Sequence, residues 1–326
     1  MRNSANKLNI YIMVFTIYQI LRTARVRQWL KNLSLFAAPV FAGRLFIGKT
    51  LDLSLYAFVA FCLISSGVYF INDIIDAPSD SQHPIKKNRP IASGKLSKKL
   101  ALIIAVLFVV SSMYIALNYV GTYFTWVVVT YLLIQLGYSA YFRSVIILDS
   151  LVVASGFVLR VFAGGFASET SVSSWLALTT IGISLLLAFG KRRSEKTILA
   201  KFNQDGETKT RKTLNQYPDS LLDSMISMSA AYTIITYSLF TFQISPEGKN
   251  TVFSGVLPSV LKSPKWMMLT IPLVIYGVAR YLYVIYEKKE GESPARVLLS
   301  DRALLSAVTL WGIMVMLFIY IFPYLG

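Results

Sequence analysis

The sequence predicts an all-α polytopic membrane protein with nine transmembrane helices and an N-terminal interfacial helix. Three observations predict it. The 326-residue chain is 55% hydrophobic and only 15% charged, whereas soluble domains carry about a quarter charged residues. Several apolar runs approach about 20 residues, the length that crosses a bilayer's hydrocarbon core. The formal net charge is +16. On a soluble chain that would suggest nucleic acid. On this one it matches the Lys- and Arg-rich cytoplasmic loops of membrane proteins, so no nucleic-acid partner is expected.

Taken in order, the apolar stretch 8–20 is short for a span and has no small-residue cleavage site, so it reads as an interfacial helix. Nine apolar segments follow, at 31–48, 54–77, 99–118, 122–142, 146–167, 174–192, 226–244, 267–286 and 303–323. The first contains Pro39 and two glycines. The loop 245–266, with Pro246, Gly248, Pro258 and Pro264, reads as irregular cover. No internal repeat is visible, and one domain over 1–326 is expected. One cysteine, Cys62, and one histidine, His83, exclude an intramolecular disulfide and a multi-histidine metal site.

Charge fixes the orientation. With the N-terminus inside, the cytoplasmic segments hold 25 of the 32 Lys and Arg, and the outer loops hold Arg44, Lys49, Lys249, Lys262 and Lys265. That split fits an odd number of spans and an external C-terminus. Thirteen of the 16 Asp and Glu also fall at or near the cytoplasmic side, which the positive-inside rule does not require. Acids and bases gathered on one face suggest a polar site open to the cytosol.

The second span ends in "YFINDIIDAPSD", and "SQHPIKKNRPI" follows. Asp73, Asp76 and Asp80 are spaced i, i+3, i+7 and share one helix face, with Asn72 at its border. Adjacent carboxylates repel unless a cation lies between them. An oxygen-only set suits a hard ion such as Mg²⁺, which bridges a few carboxylates to substrate phosphates. Lys86, Lys87 and Arg89 would complete a diphosphate site. The bland alternative is a helix end whose acids pair with those three bases. Ionisable groups at a membrane boundary favour the functional reading.

These residues carry a resemblance. "NDIIDAPSD" and the following "RPIASG" resemble the acidic signature of the UbiA superfamily of intramembrane prenyltransferases. Within it, "RVRQWLKNLSLFAAPVFAG", "DSQHPIKKNRPIASG", "LDSLVVASGFVLRVFAGG" and "SSWLALTTIGISLLLAFGKRRSE" resemble the decaprenyl-phosphate phosphoribosyltransferase branch, as does "SDRALL" near the C-terminus. The resemblance implies a nine-helix bundle in the cell membrane with its site facing the cytoplasm. It implies Mg²⁺-dependent transfer of 5-phosphoribose from phosphoribosyl diphosphate to a polyprenyl phosphate. Diphosphate is released, and the product is a lipid-linked pentose precursor of arabinan in the cell envelope.

The resemblance also implies roles. Asn72, Asp73 and Asp76 are catalytic, with Asp73, Asp76 and Asp80 as metal ligands. Gln28, Lys31 and Asn32, at the mouth of the first span, bind donor sugar and phosphates, although composition alone makes that cluster an interfacial anchor. Lys86, Lys87, Arg89, Tyr138, Arg143, Asp149, Arg160 and Lys191 bind substrate. Arg143 stands where relatives carry lysine, so charge is kept but geometry is not. Asp149 and Arg160 lie three helical turns apart on a similar face. For Arg160 a structural pair with an acid on a neighbouring helix and a substrate contact both stay open. Arg192, Arg193 and Lys196 read as a positive-inside flank. Asp219 and Asp223 stand where many superfamily members carry a second acidic motif; their spacing equally suits two acids opening a helix. Gly156, Gly164 and Gly165 read as helix-packing positions.

The competing reading within the superfamily is an aromatic prenyltransferase of quinone or haem synthesis. The extra 5-phosphate of a phosphoribosyl donor calls for more cations, and this chain has them at 25–32, 86–89 and 143. A transporter or flippase is the reading from another class, but it would place repeats and broken helices at the midplane. Lipid chain length and homo-oligomerisation are left open.

Overall fold

A computed structural model describes residues 2–82, 86–202, 216–244, 265–288 and 294–324. His83, part of the loop 190–224 and nearly all of the loop 245–266 lie outside the described residues. Every regular element among the described residues is helical. In chain order the α-helices are α1 (Arg2–Ala24), α2 (Ala37–Phe41), α3 (Thr50–Asp80), α4 (Lys98–Ile115), α5 (Thr122–Ala140), α6 (Leu148–Ala167), α7 (Ser174–Phe202), α8 (Asp219–Ile244), α9 (Ile271–Tyr283), α10 (Pro294–Ser300) and α11 (Arg302–Met316).

Among the described residues, eight helices are long and apolar enough to cross a membrane. They match the second to ninth expected spans. The stretch expected as the first span, 31–48, takes another form. Val26–Phe36 is a 3₁₀ helix, and α2 follows with five residues. Gly43 and Gly48 then turn the chain at φ +67° and +57°, a backbone region that breaks helical continuity and that glycine enters without steric penalty. At the N-terminus the structure forms a 23-residue helix around the expected 8–20 stretch.

By internal contacts the chain divides into two compact units. The first comprises Met1–Leu33 and Leu55–Ala140, and the second Ser34–Ser54 and Tyr141–Gly326. In the first, α3 packs against α4 and α5. Ser112 Oγ on α4 donates to the Ala60 carbonyl at 2.8 Å, and Phe61 meets Phe124 and Tyr131 of α5 with ring centroids 5.8 and 5.4 Å apart. The "RPIASG" loop is drawn onto α3 by its apolar members: Ile91 and Leu96 are buried with Phe70 and Ala77. Gly94 turns that loop at φ +73°. This packing brings Arg89 to the acidic end of α3.

In the second unit α6 and α7 form a tight antiparallel hairpin, and α7 pairs extensively with α8. A Cβ on Gly164 would collide with the carbonyl of Leu35, and one on Gly165 would lie 2.9 Å from Thr170 O, so both glycines permit close packing. Helix α7 continues past the expected end of its span at 192, carrying "GKRRSEK" as helix. Helix α11 is capped by Asp301 of "SDRALL", whose carboxylate accepts from Leu304 N–H at 2.9 Å and holds Arg280 through two 3.0 Å bonds.

Candidate active site

Helix α3 runs through Pro78 to Asp80, so Asp73, Asp76 and Asp80 do lie on one helix. Asp73 and Asp80 are buried, at 3% and 4% exposure, and Asp76 is half-buried. The two buried carboxylates converge. Arg89 Nη1 lies 3.2 Å from Asp73 Oδ1 and 2.7 Å from Asp80 Oδ2. Asp73 Oδ1 also takes Arg25 Nη2 at 2.6 Å. Lys86, half-buried on the 3₁₀ turn Lys86–Asn88, adds attraction to Asp80, and Asp76 adds repulsion. Lys87 is exposed.

From sequence Arg25 reads only as one of several interfacial bases. The structure places it directly after α1 at φ +54°, a conformation seldom adopted by residues other than glycine. That turn carries its guanidinium over the Tyr69 ring, 4.6 Å from the centroid, one helical turn before Asp73. No sequence signal marks such a φ.

Asn72 faces another helix. Its Oδ1 accepts from Ser139 Oγ at 2.6 Å, next to the half-buried Tyr138 on the last turn of α5. Asn32 is buried and donates to Cys62 Sγ at 3.2 Å. Trp29 Nε1 donates to Ser66 Oγ, which donates to Ala24 O. These bonds fix the 3₁₀ segment bearing Gln28, Lys31 and Asn32 against α3. Gln28 and Lys31 are half-buried.

The remaining expected residues belong to the second unit. Arg143 is half-buried on the 3₁₀ turn Phe142–Ser144. Arg160 is buried and donates to Gly156 O, one turn earlier in its own helix, at 2.6 Å. Lys191 pairs with Glu195 at 3.6 Å. Asp149 is 1% exposed. Its carboxylate forms an ion pair with Arg192, Oδ2 to Nε at 2.5 Å, and Tyr217 Oη donates to its Oδ1 at 2.5 Å. Arg192, which the sequence puts in a positive-inside flank, is itself 1% exposed and donates to Glu195 at 2.5 Å. Burial and the bond to Asp149 push the Tyr217 phenol up to about 12. The same phenol accepts the N–H of Ile147 at 2.7 Å. Ile147 sits at φ +68°, a costly conformation for a β-branched residue, so Tyr217 supports a strained entry into α6.

Asp219 and Asp223 open α8, where acids suit the dipole. Lys196 lies 2.6 Å from Asp219, and Arg193 Nε lies 2.9 Å from Asp223, which also accepts from Tyr286 Oη at 2.9 Å. Arg193 and Lys196, in the basic flank of α7, thus also serve as counter-charges to these two acids.

The donor set tests whether a metal fits. Among the described residues no three Asp, Glu, His or Cys side chains gather as a metal cluster. Asp73 Oδ1 and Asp80 Oδ2 nevertheless both approach one cationic atom, Arg89 Nη1, at 3.2 and 2.7 Å. Mg²⁺ uses few protein carboxylates and completes its shell with water and phosphate oxygens. Asp73 and Asp80 fit that requirement, with Asp76 on the same face.

Comparison with known proteins gives the chain a family. A family model described as the UbiA prenyltransferase family matches residues 36–307. The chain is 30% identical over 309 residues to a decaprenyl-phosphate phosphoribosyltransferase of Corynebacterium glutamicum, covering 93% of this chain and 87% of that one. It is 31% identical over 300 residues to the protein of that name from Mycolicibacterium smegmatis, covering 90% and 89%. A UbiA homolog from Archaeoglobus fulgidus, solved with GPP and Mg²⁺, shares the fold at a TM-score of 0.62 and 19% identity, covering 92% of this chain and 96% of that one.

Proposed function

This chain belongs to the UbiA prenyltransferase family, and from that premise we propose that it transfers 5-phosphoribose from phosphoribosyl diphosphate to a polyprenyl phosphate. The observation that carries this reading is the identity of about 30% over nine-tenths of the chain to relatives named for that reaction. The converging carboxylates with their bases support it, because both substrates are rich in phosphate.

Asp73, Asp76 and Asp80 would hold Mg²⁺, with Asn72 beside them. When bound, the ion neutralises charge on the departing diphosphate. Lys86, Lys87 and Arg89 bind donor phosphates, and Gln28, Lys31 and Asn32 bind its sugar and phosphate groups. Tyr138, Arg143, Arg160 and Lys191 are further substrate contacts. Asp149, engaged by Arg192 and Tyr217, is assigned to positioning instead of direct contact. In the reaction an oxygen of the lipid phosphate attacks the anomeric carbon. The bond from that carbon to the diphosphate oxygen breaks, and its electron pair leaves with the diphosphate. The nucleophile is already an anion, so no strong general base is needed. Cationic groups stabilise the charge leaving carbon. The charge asymmetry of the sequence supports a site at the cytoplasmic face, with the N-terminus inside, the C-terminus outside and the lipid entering laterally from the inner leaflet.

The test is a transfer assay on purified protein in membranes with Mg²⁺, polyprenyl phosphate and donor labelled in the sugar. Mg²⁺-dependent label in the organic phase, lost in Asp73→Ala and Asp76→Ala variants that remain folded, is the expected result. Near-full activity in both variants would sink the metal assignment. No transfer to lipid phosphates of several lengths would redirect the reading to an aromatic prenyltransferase.

A further inference from the structure

Arg25 and Arg89 both reach Asp73, but they are held differently. Arg25 is constrained from several sides. Its N–H donates to Arg22 O at 3.3 Å, its carbonyl accepts from Gln28 at 2.7 Å, and its guanidinium lies over Tyr69. Arg89 sits on a loop just beyond a single 3₁₀ turn and places one nitrogen, Nη1, between two carboxylates. That nitrogen stands where the two carboxylates converge. A divalent ion bound by both would need their oxygens within roughly 2.0–2.6 Å of its own centre. The ion and Arg89 Nη1 therefore compete for one position, whereas Arg25 approaches Asp73 alone.

We propose that Arg89 is an exchangeable counter-ion. It yields the point between Asp73 and Asp80 to the divalent ion and turns its guanidinium to the diphosphate that arrives with it. Arg25 stays as the positioning residue that fixes Asp73. The inference rests on reading this site as a metal–diphosphate site. It adds a linkage that the reading does not require. A divalent ion alone must displace the charge-assisted bonds of Arg89 to two buried acids. A diphosphate offers Arg89 a new anion, so metal and diphosphate bind with positive cooperativity, each raising the other's affinity by the same factor.

The experiment measures Mn²⁺ binding by electron paramagnetic resonance on the full chain in lipid nanodiscs, with and without inorganic diphosphate. In the wild type, diphosphate tightens Mn²⁺ about tenfold or more beyond its binding in free solution. In Arg89→Gln, Mn²⁺ alone binds about tenfold more tightly, a difference of about 1.4 kcal/mol, and the cooperativity with diphosphate falls away. Lys95→Gln makes the same charge change at an exposed position of the same loop and shifts Mn²⁺ affinity less than twofold. Should Arg89→Gln fail to fold, Arg89→Lys gives the same reading with a smaller gain, because an ammonium bridges two carboxylates less well than a planar fork. Mn²⁺ affinity in the Arg89 variant no greater than in Lys95→Gln, or no cooperativity in the wild type, overturns the proposal. Loss of Mn²⁺ binding in Asp73→Asn and Asp80→Asn reports on the metal site itself. A failed sugar transfer with the Mn²⁺ linkage intact would refute the substrate assignment and leave this inference standing.

Discussion

Replacing Arg192 with Met tests how the second unit is built. Arg192 and Asp149 are each 1% exposed, and Arg192 holds Asp149 and Glu195 at 2.5 Å each. Removing one partner of a buried pair leaves the other charge uncompensated, at a cost of about 3–5 kcal/mol. Asp149→Asn should cost a comparable amount, because the guanidinium is then the orphan. The double variant removes both charges, so its loss should fall short of the sum by about 2 kcal/mol, within the usual range for coupled contacts. Reversible unfolding in mixed micelles, run as a double-mutant cycle, measures this. Donor affinity of the folded fraction should change little in Asp149→Asn, since Asp149 acts through α6 and α7. Two single variants within about 1 kcal/mol of wild type, or strictly additive losses, would refute the reasoning. Unchanged stability with lost donor affinity would make Asp149 a substrate ligand instead.

Tyr217→Phe removes the phenol that serves both Asp149 and the strained Ile147 N–H, and should cost about 1–3 kcal/mol. The Tyr217 pKa is raised on folding, so its contribution is complete below the unfolded value of about 10 and is lost as pH rises toward about 12. Unfolding free energies across that alkaline range should fall in the wild type, and that part of the slope should vanish in Tyr217→Phe. Gly164→Ala would drive a methyl group into the Leu35 carbonyl; destabilisation of about 1–3 kcal/mol or more is expected, read from the same unfolding curves. A Gly164→Ala protein as stable as wild type would show that the contact can relax.

Much of the architecture is legible because membranes impose simple rules. Span lengths follow from bilayer thickness, and eight expected spans match helices. The expected 31–48 span differs because apolar composition cannot distinguish a continuous helix from a 3₁₀ segment, a short α2 and two left-handed glycines. The acidic end of α3 is legible because i, i+3, i+7 spacing holds wherever the helix continues. The Asp149–Arg192 pair was also within reach of the sequence. Asp149 lies 18 residues before Ala167, and Arg192 lies 18 residues after Ser174, so an antiparallel hairpin of α6 and α7 sets them at the same level. Arg192 stands among basic residues that suit a positive-inside flank, and that local pattern masks the pair.

The sequence by itself determined the membrane class, the charge asymmetry, the helical face of Asp73, Asp76 and Asp80, and the family those residues resemble. These follow from local composition and from helix periodicity, which need no tertiary partner. Only the tertiary structure decided which cation meets which acid. Arg25 reaches Asp73 across 48 residues through a left-handed turn, Arg89 reaches it through a loop packed by Ile91 and Leu96, and Asp149 is engaged by Arg192 and Tyr217. Coulomb attraction names no partner in a chain with 32 bases and 16 acids. Burial selects the partner, because a buried carboxylate is stable only where the packed helices deliver a cation or a hydrogen-bond donor to it.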